Sequence, residues 1–444
     1  MTRPALSNLM KLKSLISRDL RNTALNQIWR LVSGPLILLF IPLYLSAEAQ
    51  GYWYTFISLA ALAIFADMGF SAILLLFSSH EFAHLKFAQN KTVVGDEYYL
   101  SRLASLWIFA AKWSISIATL FFPIVLIFGY FVLNSKSLDL DWKLPWLLYG
   151  VGAVLVFVNS MLLSFVEGCD SVGDVQSIRF KISVVNVVVA LLLLFAGAEL
   201  YALALSLVFS SLFGSVAIFR RYSSMFSQLA DVGRRASNSW WPEIKPLIWR
   251  YSLSWVSGYF IFSIFTPLTF HFYTAVQAGQ VGLSIALCTA IFSISNVWMV
   301  IVTPKMSMHI AKKDFAALNT LFYRHLFLSM ATFMLGCAVL YIFLMFAGDY
   351  FSAVERLVSI KSLTFLLAGW FFQLLINALA LYLRAHKIEP LVLASIFSAV
   401  YVASTTVLMC IYMPFDYLFL GFLSVYIWVF PWVFVVFRRH RRAY

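Results

Sequence analysis

The chain has 444 residues, of which 62% are hydrophobic and 11% are charged, with a formal net charge of +13 and a mean hydropathy of +0.88. A soluble domain typically contains about 45–50% apolar and about 25% charged residues, so this composition excludes a water-soluble globule and indicates a protein embedded in lipid. The basic residues fall in short clusters between apolar runs and not in one patch, which argues against a nucleic-acid partner.

Residues 1–28 form the first predicted segment, on the cytoplasmic side. They contain no apolar core long enough for a signal peptide, so we expect no cleavable leader. Apolar residues such as Leu9 and Leu12 are interleaved with Lys11 and Lys13. This pattern predicts a basic amphipathic helix lying on the membrane surface.

Twelve apolar runs follow, each about as long as, or longer than, the roughly 20 residues that a helix needs to cross the hydrocarbon core. They lie at about residues 29–46, 52–77, 104–133, 145–167, 180–198, 200–219, 251–273, 281–303, 325–347, 362–383, 390–412 and 416–437. We therefore predict an all-α polytopic membrane protein of about twelve transmembrane helices in two six-helix lobes. Its segments are an N-lobe at 29–219, a basic cytoplasmic linker at 220–250, a C-lobe at 251–437 and a basic cytoplasmic tail at 438–444.

The Lys and Arg residues between the runs orient them. Of the 32 Lys and Arg residues, the outer loops carry only Lys136, Lys143, Arg356 and Lys361, and Lys112 lies within a run. All the others fall in cytoplasmic segments when the N-terminus is placed inside, which is the bias that sets membrane topology. Missing or inventing one span would break this alternation, so we predict that both termini are cytoplasmic.

A weak internal repeat relates the two lobes. Residues 28–30 and 248–250 both read Ile-Trp-Arg at the start of a lobe, and residues 50–51 (Gln-Gly) are echoed by residues 279–280 (Gly-Gln). Both copies begin in the cytoplasm, so the repeat is parallel, about an axis along the membrane normal. Two such lobes are typical of transporters that work by alternating access.

Four ionisable residues within or at the ends of spans are candidates for substrate binding and transport, because charges at membrane depth are costly. Asp67 is a carboxylate deep in the second run, and two interpretations stay open: a group that binds a coupling cation or proton, or a structural partner of Arg30 or Lys112. Arg30, Lys112 and Arg250 would attract a phosphate-bearing substrate if they face a cavity. The alternative is that these three side chains extend to the membrane interface.

Residues 80–84 read His-Glu-Phe-Ala-His, a literal HExxH at the cytoplasmic end of the second run. On a helix, His80 and His84 would bind zinc and Glu81 would act as a general base. With no third ligand in view, we favour an interfacial cluster in which Glu81 pairs with Lys86 or Arg102, and we expect no metal.

The loop between spans four and five is charged. It contains Glu167, Asp170, Asp174, Arg179 and Lys181. We expect local ion pairs there, with Glu167 and Arg179 as secondary candidates for a functional role at the cytoplasmic face.

Four stretches near the N-terminus form a family pattern: residues 29–35 (WRLVSGP), 41–46 (IPLYLS), 50–55 (QGYWYT) and 65–70 (FADMGF). His80-Glu81, Glu167-Gly168 and Arg179 extend the pattern, so it covers mainly the first 85 residues and the 160s to 170s. In these residues the chain resembles O-antigen flippases, polysaccharide transporters of the multidrug/oligosaccharidyl-lipid/polysaccharide (MOP) flippase superfamily.

The resemblance implies a MATE-like fold and a transporter that is not an enzyme. Its cargo would be an undecaprenyl-pyrophosphate-linked oligosaccharide, the repeat unit of O-antigen or a similar surface polysaccharide, moved across a bacterial inner membrane in lipopolysaccharide biosynthesis. A cationic cavity would receive the pyrophosphate or acidic sugars, here through Arg30, Arg250 and Lys112, with coupling to a proton or Na⁺ gradient and no cofactor. Membrane lipids, a polysaccharide polymerase and a chain-length regulator are the expected partners. The alternatives are a multidrug or cation exporter of the same superfamily and an intramembrane HExxH metalloprotease.

Overall fold

The computed structural model describes residues 3–136, 140–235, 238–347, 352–386 and 390–442. Within these ranges the structure describes only the backbone of residues 3–20, 64, 250, 251, 254, 304, 311, 347, 352, 353 and 442. The amphipathic face predicted near the N-terminus therefore lies outside the described residues.

Helices make up nearly all of the described chain. The α-helices are α1 (Arg3–Tyr44), α2 (Ala47–Ala60), α3 (Ala63–Asp67), α4 (Phe70–Phe82), α5 (Glu97–Leu133), α6 (Lys143–Gly168), α7 (Val172–Phe195), α8 (Leu200–Gly233), α9 (Trp241–Phe262), α10 (Phe265–Phe272), α11 (Ala275–Ala311), α12 (Phe315–Ala347), α13 (Ile360–Ala385), α14 (Val392–Tyr412), α15 (Leu420–Ser424) and α16 (Tyr426–Arg442). Two 3₁₀ helices, η1 (Ser352–Arg356) and η2 (Phe415–Tyr417), and a hairpin of β1 (Leu85–Phe87) and β2 (Val93–Gly95) complete the described elements.

Eleven stretches of the described chain are long and apolar enough to cross a membrane. They correspond to eleven of the twelve predicted spans, and the fold class, a polytopic all-α membrane protein, is confirmed. The predicted seventh span, 251–273, is divided between α9 and α10 at residues 263–264, so it contains no single spanning helix.

Several predicted boundaries differ from the structure because the helices continue beyond the apolar runs. Helix α1 joins the predicted surface segment to the first span without a break, and α8 continues to Gly233, well into the predicted linker. The β-hairpin at residues 85–95 has no counterpart in the sequence analysis. Polar residues continue a helix readily once its apolar part is ordered, because each added residue gains one backbone hydrogen bond.

The chain divides into two compact units. The first unit contains Met1–Ser33, Leu62–Phe131 and Asp139–Trp255, and the second contains Gly34–Ala61, Val132–Leu138 and Val256–Tyr444. This division differs from the predicted lobes, which were separated by position along the sequence. Residues 34–61 precede the predicted linker and nevertheless belong to the second unit.

In the first unit, α8 packs along α6 and α7. Asn159 on α6 is buried between the helices, where its amide donates to the Ser211 carbonyl at 2.8 Å and its oxygen accepts from the Ser215 hydroxyl at 2.9 Å. A Cβ at Gly214 would lie 2.5 Å from the Ile182 side chain, so this glycine permits the close approach of α7 and α8. Small residues and interhelical hydrogen bonds are the usual means of helix association in lipid.

In the second unit, α2 packs closely on α11 and α10. A Cβ added at Gly51 would lie 2.0 Å from the Ala275 carbonyl oxygen, and one added at Gly282 would lie 2.2 Å from the Tyr54 Cβ. The buried Gln50 amide donates to the Gly279 carbonyl at 3.0 Å. The two Gln/Gly pairs of the internal repeat are therefore in direct contact, and this contact places α2 in the second unit.

Candidate functional site

The second predicted span is interrupted beside its acidic residue. Helix α3 ends at Asp67 and α4 begins at Phe70, with Met68 (φ 47°) and Gly69 (φ 72°) both left-handed. Glycine adopts this conformation without strain, whereas Met68 is strained in it. One Asp67 carboxylate oxygen, Oδ1, accepts from the Ser71 backbone N–H at 3.1 Å and from the Ser71 hydroxyl at 2.7 Å. The carboxylate therefore caps the first turn of α4.

The structural interpretation of Asp67 required an ion pair with Arg30 or Lys112. In the described part of the chain Asp67 makes no ion pair, and its second oxygen, Oδ2, has no hydrogen-bond partner. The carboxylate is half-buried. A charged group beside a helix interruption within a span is the arrangement in which transporters bind coupling ions.

No ion pair or hydrogen bond in the described part of the chain joins the three predicted cations to a common partner. Arg30 on α1 and Lys112 on α5 are both exposed, and neither forms an ion pair with a residue that the structure describes. Arg250 lies in α9, but its side chain is outside the described residues. The role of these cations in transport stays a prediction.

A polar network joins α1 to the end of α6 and to the first half of α7. Asn26 donates to the Gln176 oxygen at 2.7 Å, and Gln176 donates to Glu167 at 3.0 Å. Glu167 also pairs with Arg179 at 2.9 Å. One turn further along α1, the Trp29 indole donates to Ser183 at 3.0 Å. The predicted local pairing of Glu167 is present, whereas Asn26 and Gln176 were missed because neutral amides give no charge signal.

Glu81 and Arg102 form a second cluster in the first unit, at the predicted cytoplasmic face. The buried Glu81 accepts from the Arg102 Nε at 3.0 Å, and Arg102 also reaches the more exposed Glu243 at 3.2 Å. The guanidinium lies over the Trp240 ring at 4.3 Å from its centroid. Of the two predicted partners of Glu81, the structure selects Arg102, while Lys86 lies exposed on β1.

The HExxH residues do not have the geometry of a zinc site. Helix α4 ends at Phe82, so His84 lies beyond the helix and stacks on Tyr99 with ring centroids 3.9 Å apart. His80 is exposed and Glu81 is held by Arg102. No group of three or more His, Cys, Asp or Glu residues among those described could hold a metal. The metalloprotease alternative therefore lacks its helical ligand pair.

Replacing Arg102 with Gln should destabilise the first unit, because the Glu81 carboxylate would remain buried without its partner. A buried unpaired polar group typically costs about 1–3 kcal/mol. The matched control is Glu243→Gln, which removes only the exposed partner. Thermal unfolding of the purified variants in detergent measures both, and equal melting temperatures for Arg102→Gln and Glu243→Gln would contradict the assignment.

Comparisons with known proteins find similarity only in three dimensions. No family model matches the chain, and no curated protein matches its sequence. An inward-facing multidrug resistance MATE family transporter of the MOP superfamily has 13% identity and a TM-score of 0.56, over 92% of this chain and 99% of that one. An outward-facing transporter of the same description has 14% identity and a TM-score of 0.53, with 96% of each chain covered.

A third similar structure is a MOP superfamily transporter from Pyrococcus furiosus, for which the reverse polarity of the binding pocket suggests a different function. It has 14% identity and a TM-score of 0.50 over 96% of each chain. At these identities the similarity establishes a shared fold. What the chain does must be inferred from its own residues.

Proposed function

We propose that the chain is a transporter that moves an undecaprenyl-pyrophosphate-linked oligosaccharide, an O-antigen or similar surface polysaccharide repeat unit, from the cytoplasmic to the periplasmic leaflet of a bacterial inner membrane. The observation that carries the transport part of this proposal is the fold shared with MATE family transporters along almost the whole of both chains. The lipid-linked cargo rests on the sequence resemblance to O-antigen flippases and on the charges described next.

Two cations support an anionic cargo. Arg30 and Lys112 are exposed and make no ion pair with a described residue, so neither charge is neutralised within the described part of the chain. Arg in particular presents a planar fork of donors that matches phosphate oxygens. A pyrophosphate or an acidic sugar is the group that these residues would bind.

Asp67 supports coupling to a cation gradient. Its Oδ1 is engaged by Ser71, which holds the carboxylate in place, and its Oδ2 is available to a proton or Na⁺. Binding at a helix interruption changes the local charge where the backbone is already unwound, so one ion can bias the packing of both half-helices.

A polysaccharide polymerase and a chain-length regulator would act on the delivered repeat units.

A multidrug or cation exporter is the second candidate, and one observation favours it. Two of the similar structures are described as multidrug resistance transporters, and an organic cation would be attracted by the Asp67 carboxylate. Drug efflux that depends on Asp67, in cells whose surface polysaccharide is unaffected, would support this candidate over the flippase.

Deletion of the gene tests the proposal directly. The deletion strain should accumulate lipid-linked repeat units on the cytoplasmic leaflet and lose surface polysaccharide. Arg30→Ala, expressed to the wild-type level, should restore surface polysaccharide poorly because the anion loses its forked donor. Arg21→Ala, which removes an exposed arginine from the same helix, should restore it fully. Intact surface polysaccharide in the deletion strain, with no second transporter present, would disprove the flippase function.

A further inference from the structure

The first unit contains a cavity of about 550 Å³ between α7, α8 and the turn of the β-hairpin. It lies at the predicted cytoplasmic face, on the side of α7 away from the Glu167 network. A cavity of this volume is within the range of small-molecule sites. None of the predicted transport residues lines it, so it needs an explanation of its own.

The lining of the cavity is strongly cationic. Lys91, Lys181, Arg220 and Arg221 face a single carboxylate, Asp174. Asp174 is already shared, because it accepts from the Arg221 Nε at 2.9 Å and lies 3.6 Å from the Lys91 ammonium. Lys181 and Arg220 form no ion pair with any residue in the described part of the chain. The cavity therefore holds more positive charge than its own residues neutralise.

The hairpin fixes one of these cations in place. Lys91 occupies the turn with a left-handed φ of 63°, and its ammonium lies 4.7 Å from the centroid of the Phe87 ring. The neighbouring strand is clamped to α8 by two hydrogen bonds: the Val93 N–H donates to the Gln228 oxygen at 2.7 Å, and the Gln228 amide donates to the Val93 carbonyl at 2.8 Å. The hairpin is thus held against α8 with Lys91 at the rim.

The wall on the membrane side of the cavity is apolar. Phe213 and Ala217 precede Arg220 and Arg221 on one face of α8, over a distance of about 10 Å at 1.5 Å per residue. Gly214 lies against Ile182, so the adjacent Lys181 sits at the depth of this apolar wall. A cation beside an apolar wall is complemented by an anion that carries apolar chains.

We propose that this cavity binds the phosphodiester headgroup of an anionic membrane phospholipid, with its acyl chains lying along the Phe213 side of α8. A basic pocket between membrane helices at the cytoplasmic surface is suited to such headgroups. The apolar wall beside the cations favours a lipid over a soluble phosphate, which would leave that wall against solvent. The inference does not depend on the identity of the transported cargo.

The test is lipid binding to the purified protein by native mass spectrometry. Delipidated protein is titrated with phosphatidylglycerol and, separately, with zwitterionic phosphatidylethanolamine. Lys181→Gln/Arg220→Gln should weaken binding of phosphatidylglycerol by about tenfold or more and leave the weak binding of phosphatidylethanolamine unchanged. Lys181 and Arg220 form no ion pair in the described part of the chain, so replacing them should leave the protein folded.

Arg234→Gln/Arg235→Gln is the matched control, since it removes two charges immediately after α8 and outside the cavity, where both residues are exposed. It should bind phosphatidylglycerol like the wild type. Unchanged phosphatidylglycerol binding by the cavity variant, or an equal loss in the control, would overturn the proposal. Binding of inorganic pyrophosphate alone that is tighter than that of phosphatidylglycerol, and that is lost in the cavity variant, would also overturn it, because it would assign the cations to a polyphosphate and not to a phospholipid.

Discussion

Asp67→Asn should reduce transport to the level of cells that lack the protein while leaving the protein folded. Asparagine keeps an oxygen that can accept from the Ser71 N–H and hydroxyl, so the cap on α4 is retained. It removes the negative charge, and with it the ability to bind a proton or a metal cation. Surface polysaccharide in the complemented deletion strain, at matched membrane expression, measures the loss.

Ser71→Ala is the complementary variant for the same site. It removes the hydroxyl that donates to Asp67 at 2.7 Å and keeps the charge. Loss of one capping interaction costs about 1 kcal/mol, so a modest fall in melting temperature with near-normal transport is expected. If Asp67→Asn transports normally, the carboxylate is a structural cap and has no role in coupling.

Gly51→Ala should strongly destabilise the second unit. The added Cβ would lie 2.0 Å from the Ala275 carbonyl oxygen and 2.6 Å from its carbonyl carbon, and both atoms belong to backbone that cannot rotate away. Helix α2 would have to move off α11, weakening the bond from Gln50 to the Gly279 carbonyl. Overpacking of this kind typically costs about 1–3 kcal/mol, and more where the backbone must shift.

Gly258→Ala supplies the control, because a Cβ at Gly258 meets nothing within 4 Å. In a helix this substitution is expected to stabilise by about 0.5–1 kcal/mol. Melting temperatures in detergent should therefore move in opposite directions for the two variants. A Gly51→Ala protein as stable as the wild type would show that the close contact of α2 and α11 is not required for the folded state.

Composition and charge were sufficient to predict most of the membrane-spanning helices, because the hydrophobic thickness of a bilayer constrains every span in the same way. The same evidence could not locate the interruptions. The run at 52–77 contains no charged residue except Asp67. Its interruptions, at residues 61–62 between α2 and α3 and at Met68 and Gly69 between α3 and α4, are backbone conformations that hydropathy does not report.

The ion-pair and hydrogen-bond partners of individual side chains also depended on how the helices pack. Lys86 and Arg102 were equally plausible partners for Glu81, and folding the hairpin back along α8 leaves Lys86 exposed while Arg102 stays beside Trp240. The amides of Asn26 and Gln176 were missed entirely. Hydrogen bonding between neutral groups leaves no periodicity or charge pattern in a sequence, so it becomes visible only when the helices are in place.

By itself, the sequence determined that this is a membrane protein of many helical spans, since too few polar residues exist to cover a soluble globule, and it marked Asp67, Arg30 and Glu81 as unusual. Only the tertiary structure decided that Asp67 caps a broken helix, that α2 belongs with the second unit, and that four cations and one carboxylate line a cavity between α7 and α8. The physical reason is that the two kinds of feature depend on different numbers of residues. Burial in lipid acts on each residue separately, whereas these three features depend on close contacts between residues and helices whose packing no local pattern specifies.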